Sequence, residues 1–171
     1  MKTIIRQAAL KDAADIAKVQ VETWQQAYKF LLPDDYLESL SLEKKTEGWE
    51  KGLTDPYQQQ TAFVIEVDGE IAGFSSVGPN RDPDISDEIA ELCALYIHPS
   101  FQRKGLGKLL SDFSLTKLQD SGYSTATLWV LTSNLPSQGF YQSQGWQKEG
   151  RVKEEYKDGI ELHQTRYIIK L

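Results

Sequence analysis

The chain has little with which to build a metal centre or a covalent cross-link. Its single cysteine, Cys93, leaves no partner for an internal disulfide and no thiolate set for zinc. Its two histidines, His98 and His163, stand far apart without ligand spacing, so no metal site is expected. Long hydrophobic runs are also missing. The longest wholly apolar stretch, Leu92 to Ile97, is far short of a membrane span. The N-terminal segment interrupts its apolar residues with Arg6, Lys11 and Asp12, and so lacks a signal-peptide core. Positive charge is in deficit: 19 Lys and Arg stand against 25 Asp and Glu, for a net charge of −6. Such a chain is a poor general ligand for DNA or RNA, where affinity comes mainly from neutralised phosphates. With 12 glycines and 6 prolines it is neither a linker nor a disordered tail. What is present is 171 residues, 40% of them hydrophobic, enough for one ordinary core. A soluble, cytoplasmic, single-domain α/β protein is expected, with no membrane or nucleic-acid partner.

Periodicity sets the expected elements. Thr3–Gln7 reads as a first strand. Ala13, Ile16, Val19, Trp24 and Ala27 recur at helical spacing, with Asp12 placed to start the helix. Pro33-Asp34-Asp35 opens a second helical region, and a third spans Leu42 to Leu53 and stops near Asp55-Pro56. Phe63, Ile65 and Val67 alternate up to Asp68-Gly69, and Ile71 to Val77 follows, a pattern suited to a type I′ hairpin. The same signal recurs at Asp158-Gly159, between Val152–Tyr156 and Ile160–Ile169. Gly78 to Asp84 reads as an irregular loop. Glu91 to Ile97 is nearly continuously apolar, which predicts a strand buried on both faces and stopped by Pro99. Leu106, Leu109, Leu110, Phe113 and Leu118 mark an amphipathic helix closed by Ser121-Gly122. Thr125–Leu131 is a further strand, and Ser137 to Gln144 a short helix between Pro136 and Gly145. Strand, helix, strand from Glu91 to Leu131 makes one crossover unit with parallel strands.

The most informative segment is Gln102-Arg103-Lys104-Gly105-Leu106-Gly107-Lys108, which follows the apolar strand and opens a helix. A helix start presents unpaired N–H groups and the positive end of the dipole, and glycines let an anion approach that backbone. Arg103, Lys104 and Lys108 add positive charge on an acidic chain, so the segment suits a phosphate or pyrophosphate. It is not a P-loop, which would need Gly at Gln102 and Ser or Thr at Leu109. A dinucleotide fingerprint would need Gly or Ala at Leu110. Taken alone, an ordinary glycine-rich turn accounts for these residues equally well.

The pattern Gln-x-x-Gly-x-Gly after Leu95-Tyr96-Ile97-His98-Pro99 resembles the cofactor motif of the GNAT superfamily of acetyl-CoA-dependent N-acetyltransferases. Further along, Asn134…Phe140-Tyr141-x3-Gly145-Trp146 resembles that family's second signature, with Ser137 for the usual alanine and Trp146 for the usual phenylalanine. The resemblance spans nearly the whole chain. It implies a single domain over residues 1–171 with a mixed, largely antiparallel sheet of about seven strands and about four helices, splayed between strands 4 and 5. It further implies that the backbone of Leu95, Tyr96 and Ile97 pairs with the pantetheine arm of acetyl-CoA. Gln102, Arg103, Lys104, Gly105, Leu106, Gly107 and Lys108 would then cradle the pyrophosphate. Asn134 would contact the arm near the splay, and Tyr141 would face the thioester sulfur.

Acetyl transfer to an amine needs a neutral nucleophile, a donor for the carbonyl oxyanion and a proton for the departing thiolate. An alkylamine has a pKa near ~10.4 and must first lose a proton. Glu91 matches a position where many family members carry a base; a strand-end glutamate in solvent or in an ion pair is the equal alternative, and water alone can also serve. Tyr141 is the candidate general acid. A backbone N–H within Leu95–Ile97, at a bulge, is the candidate oxyanion donor. Cys93 reads as a small buried hydrophobe rather than a nucleophile. Trp24 and Tyr28, four apart on one helix face, and Phe30, which stands where the related subgroup has glycine and would narrow the pocket, are the candidate acceptor contacts. For Trp24, core packing between helix and sheet is the favoured alternative. The acidic run Asp82, Asp84, Asp87, Glu88 and Glu91 would attract a cationic acceptor if it sits at the pocket mouth. A small amine such as a polyamine is the expected acceptor, with a peptide N-terminus as the alternative. A non-catalytic acetyl-CoA sensor and a nucleotide phosphotransferase are the competing classes. The exposed edge of the C-terminal hairpin leaves room for a homodimer.

Overall fold

Two Asp-Gly turns and one crossover helix build the sheet. The computed structural model describes residues 1–171. Its strands are β1 (Thr3–Gln7), β2 (Thr61–Val67), β3 (Glu70–Pro79), β4 (Ile89–Ile97), β5 (Thr125–Leu131), β6 (Gln147–Lys157) and β7 (Ile160–Lys170). They form one 7-stranded sheet in the order β1-β2-β3-β4-β5-β7-β6. Both Asp-Gly hairpins take the expected conformation: Asp68 and Asp158 have φ of 51°, and Gly69 and Gly159 have φ of 89° and 79°. Every strand pair is antiparallel except β4 with β5.

Five α-helices cover the sheet: α1 (Ala13–Ala27), α2 (Asp34–Glu38), α3 (Leu42–Thr54), α4 (Leu106–Asp120) and α5 (Leu135–Ser143). The strand alternation decides which helix each residue meets. Phe63, Ile65 and Val67 of β2 join Leu106, Leu110 and Leu118 of α4 in the main core. Val64 points the other way, to Phe74 and to Ile16 and Val19 of α1. Trp49 of α3 closes that second core edge-on to Phe74, with ring centroids 5.1 Å apart. No helix is long and apolar enough to cross a membrane.

The parallel pair fixes the site. β4 and β5 are bonded only over Ile89–Glu91 and Thr125–Thr127, after which they part. The expectation that Glu91–Ile97 is buried on both faces therefore holds only at its start: Glu91 and Leu92 are buried, but Cys93 to Ile97 are half-buried where β5 no longer pairs with β4. The β3–β4 register slips where Ser76 pairs with Ala94 but Val77 with Leu92, leaving Cys93 as an extra residue. This bulge shifts the side-chain parity, so Leu92 and Leu95 both face the α4 core while Ala94 and Tyr96 face α1. The end of β4 is pressed close to β3. A Cβ on Gly73 would lie 2.5 Å from both the Tyr96 carbonyl oxygen and Ile97 Cδ1.

Two local expectations are corrected. Asp12 does not cap α1; its carboxylate takes the Arg6 guanidinium at 2.7 and 2.9 Å and the Ala9 N–H at 2.7 Å. Gly78 and Pro79 belong to β3 rather than to a loop, since Gly78 pairs with Glu91 and Pro79 with Ala90.

Candidate active site

The parting of β4 and β5 opens a cavity of about 850 Å³ that runs from the N-terminus of α4, past α5, to the aromatic residues of α1. At the α4 end, Arg103 and Gly105 take positive φ, 65° and 76°, which turns the chain so that α4 starts at the cavity edge. No protein group accepts from the N–H groups of Leu106, Gly107 and Lys108, as expected of a first helical turn. A Cβ at Gly107 would lie 3.5 Å from the Phe140 ring, ordinary van der Waals contact, so α5 packs directly against the start of α4. These features fit a diphosphate: free N–H donors, a helix dipole and the cations Arg103 and Lys108 on the cavity wall. Two residues of the motif differ from the expectation. Lys104 does not line the cavity; its ammonium lies 5.3 Å over the Phe101 ring. Gln102 lines it but uses its amide to donate to the Ile97 carbonyl at 2.9 Å, which folds the loop back onto the end of β4.

Leu95, Tyr96 and Ile97 form one wall at mid-cavity, and Asn134 and Tyr141 face them from α5. Asn134 is buried at the start of α5, where its Oδ1 accepts from Ser137 N–H at 3.2 Å. The Tyr141 ring is held edge-on between Phe140 and Trp146, with centroids 5.3 and 6.1 Å away. Burial pushes the Tyr141 hydroxyl well above the ordinary tyrosine range, with Tyr96 adding to the shift. It therefore keeps its proton at neutral pH. Tyr28 is also pushed well up, by burial first and then by Tyr96 and Tyr141, while Asn134 opposes the shift.

Glu91 lies on the acceptor side of the wall, only 2% exposed. Its carboxylate accepts from Arg81 three times, from the backbone N–H at 3.1 Å, Nε at 3.0 Å and Nη2 at 2.7 Å. Both carboxylate oxygens are engaged by Arg81, so this geometry favours the ion-pair reading over the catalytic one. Trp24 and Tyr28 pack edge to face, 4.9 Å apart, and both line the cavity. Trp24 thus packs between helix and sheet, against Leu131 and Leu162, and lines the cavity as well. Phe30 does not narrow the pocket. α1 ends at Ala27, the chain turns outward, and Phe30 is 91% exposed and off the cavity.

Nor does the acidic run put free negative charge at the pocket mouth: Asp87 and Glu88 are exposed but off the cavity, and Asp82, Asp84 and Glu91 are ion-paired. Arg166 of β7, 2% exposed, binds Asp84 at 2.9 and 2.8 Å, Glu149 at 3.0 Å through both Nε and Nη2, and Asp82 at 3.3 Å. The guanidinium holds Asp84 down at about 2 and lowers Glu149. Trp129 Nε1 donates to both Asp82 oxygens, at 3.1 and 2.8 Å. Trp129, Lys153, Lys157 and Gln164 all line the acceptor end and were missed in the sequence. Lys153, Glu155 and Lys157 alternate along β6, so a strand-face reading of that segment could have found them.

Cys93 also differs from a core residue, because it lines the acceptor end of the cavity. Burial, with Glu91 nearby, pushes its thiol up to about 12. Almost none is thiolate at neutral pH, which excludes a ready nucleophile. Cys93→Ala is expected to keep kcat within about threefold of wild type, and no acetylated protein should accumulate when acetyl donor is supplied without an acceptor, as read by intact-mass spectrometry. A stoichiometric burst of released thiol would contradict this.

The sequence model of the "Acetyltransferase (GNAT) family" matches residues 20–146. An uncharacterized N-acetyltransferase, YuaI of Bacillus subtilis, is 34% identical over 140 residues, covering 81% of this chain and 77% of that protein. The spermidine N(1)-acetyltransferase of Thermoplasma acidophilum is 27% identical over 149 residues, covering 87% of this chain and 91% of its own. The crystal structure of PaiA N-acetyltransferase from Thermoplasma acidophilum in complex with coenzyme A superposes with a TM-score of 0.76 over 100% of both chains at 22% identity, a likeness of fold.

Proposed function

The chain belongs to the GNAT acetyltransferase family, and from that premise we propose that it moves the acetyl group of acetyl-CoA directly onto the primary amine of a small molecule. The observation that carries this reading is the single cavity that joins the open first turn of α4, the Tyr141 hydroxyl and the aromatic pair Trp24 and Tyr28. When acetyl-CoA is bound, the amine nitrogen attacks the thioester carbonyl, the C–N bond forms, the C–S bond breaks and CoA leaves as its thiolate.

The chain's own groups then have distinct tasks. The first turn of α4, with Arg103 and Lys108, holds the pyrophosphate. The free backbone of Leu95 to Ile97 aligns the pantetheine arm, and one of its N–H groups stabilises the carbonyl oxygen. Tyr141 gives its proton to the thiolate and is restored by the proton that the acylated nitrogen sheds through water. The amine reaches the site by losing its proton to water, while Glu91 holds Arg81 in place at the acceptor end. A polyamine acceptor draws support from the spermidine N(1)-acetyltransferase relative; the acidic run adds none, since Arg81 and Arg166 already hold Glu91, Asp82 and Asp84. A cytoplasmic location accords with the single free cysteine.

The test is thiol release from acetyl-CoA across polyamines, amino acids, amino sugars and N-terminal peptides. Turnover confined to small amines is the expected result. Turnover of peptides alone would replace the small-molecule acceptor, and acetyl-CoA binding with no turnover at all would turn the enzyme into a sensor.

A further inference from the structure

The acceptor end carries a charge pattern opposite to that of the chain as a whole. Lys153 and Lys157 stand on one face of β6 and aim over the two indoles of the cavity wall. Lys153 Nζ lies 4.3 Å from the Trp129 ring centroid and Lys157 Nζ 5.7 Å from that of Trp24. A second cavity of about 440 Å³ adjoins this end, sharing Gln20, Arg81 and Cys93 with the first. Its wall includes Lys44 and Lys45 of α3 and Arg81, and holds no carboxylate. None of these four lysines makes an ion pair within the protein. Of the carboxylates lining the main cavity, Glu91 is held by Arg81 and Asp82 by Arg166, which leaves Glu155 as the one without a partner. Lys45 feels both burial and the charge of Lys157, with Asp158 the opposing anion.

Unsatisfied groups at this end have a matching polarity. The Trp24 indole N–H is buried and lies near the Tyr96 hydroxyl but completes no hydrogen bond; Thr23 Oγ1, on a residue 5% exposed, also has no partner. Both residues line the cavity. An indole N–H can only donate, so an ammonium group cannot satisfy it, whereas an anionic oxygen can. Gln164 Oε1, also buried and unpartnered, is an acceptor suited to an amine. β6 is the edge strand of the sheet, where lysines also discourage pairing between copies. That task does not require them to sit over the two indoles.

We propose that the acetyl acceptor is a small primary amine that also bears an anionic group, a carboxylate or a phosphate, seated among Lys153, Lys157 and Lys45 with the Trp24 N–H as its donor. This rests on the acetyl-transfer reading of the same site and narrows its substrate. A diamine or polyamine would bring a second positive charge to these lysines, where like charges repel, and would itself offer the Trp24 N–H no acceptor.

The experiment compares acceptors of similar length that differ at the far end: 6-aminohexanoate, 5-aminopentyl phosphate, pentylamine and cadaverine, each with saturating acetyl-CoA. We expect kcat/KM for one of the two anionic amines to exceed that for cadaverine at least tenfold, and the better anion names the group. In Lys153→Gln/Lys157→Gln, the preference for that anionic amine over pentylamine should collapse about tenfold through KM, with kcat little changed. Lys45→Gln should weaken the same preference, and thermal melting should show both variants folded. Equal or better turnover of cadaverine overturns the anionic acceptor and leaves acetyl transfer standing. An unchanged preference in both variants overturns the lysine assignment. Absence of turnover with every amine, despite acetyl-CoA binding, overturns acetyl transfer and this proposal with it.

Discussion

Tyr141→Phe is expected to lower kcat by about 10²- to 10³-fold, within the range for loss of a positioned general acid, while the KM for acetyl-CoA stays within a few-fold. The phenol is neutral at the working pH because burial raises its pKa. Its proton is then in hand when the thiolate departs. For ordinary values near ~10 for a phenol and ~8.5 for a thiol, the transfer is uphill by about 2 kcal/mol, small beside an acyl-transfer barrier. Desolvation raises the thiol as well, as Cys93 illustrates in the same cleft with its thiol at about 12, so burial moves both groups in the same direction and leaves the transfer only modestly uphill. The raised phenol also shapes the pH profile. Deprotonation of the acid lies above pH 10, so kcat/KM should rise with pH to at least pH 9 as the amine loses its proton, without a falling limb. Phenylalanine keeps the ring packed against Phe140 and Trp146, so the melting temperature should not change. Full activity in Tyr141→Phe would reduce the residue to packing, and a fall in activity tracked by a fall in stability would do the same.

What the sequence made legible was local. Each Asp-Gly turn specified its own hairpin, because the two central positions of a type I′ turn both need positive φ, and Asp68-Gly69 and Asp158-Gly159 supply it. The glycines of the α4 loop and the Asn134 cap of α5 are likewise decided by neighbours a few residues away. The rest depends on residues distant along the chain. The parting of β4 from β5 was expected from the family resemblance alone, and nothing within Cys93–Ile97 itself marked those residues as half-exposed. Asp82 and Asp84 read as part of an acidic run that would attract a cationic acceptor, but β7 brings Arg166 between them and Glu149. Phe30 looked like a continuation of the Trp24 and Tyr28 face, but that face ends with α1. Lys153 and Lys157 carried a strand-period signal, yet only the return of β6 beside the cavity gives it a meaning.

Arg166→Leu should be the most destabilising change at a residue outside the cavity, by about 3 kcal/mol, the low end for breaking a buried ion cluster because its partners are partly exposed. The buried guanidinium bridges three carboxylates from two separate segments, Asp82 and Asp84 after β3 and Glu149 on β6. Leucine fills part of the volume but leaves three acids facing one another with only Arg151, 3.8 Å from Asp84, as a nearby cation. The sign of the pH dependence follows from the shifts. In wild type, Asp84 sits at about 2 and Glu149 below its usual range, both depressed relative to the unfolded chain. Their contribution to stability is therefore complete above about pH 4 and is lost as pH falls towards 2. In the variant, mutual repulsion raises the same carboxylates, so the native state is penalised at neutral pH and relieved on acidification. The deficit should be largest at pH 7 and should shrink steadily at pH 5 and pH 3, as read from urea midpoints at the three values. Arg166→Lys keeps the charge but not the two-pronged geometry and should fall between. A deficit independent of pH would mean that Arg166 contributes through packing, and that the loop bearing Arg81 and Asp82 is held to the acceptor end by something other than charge.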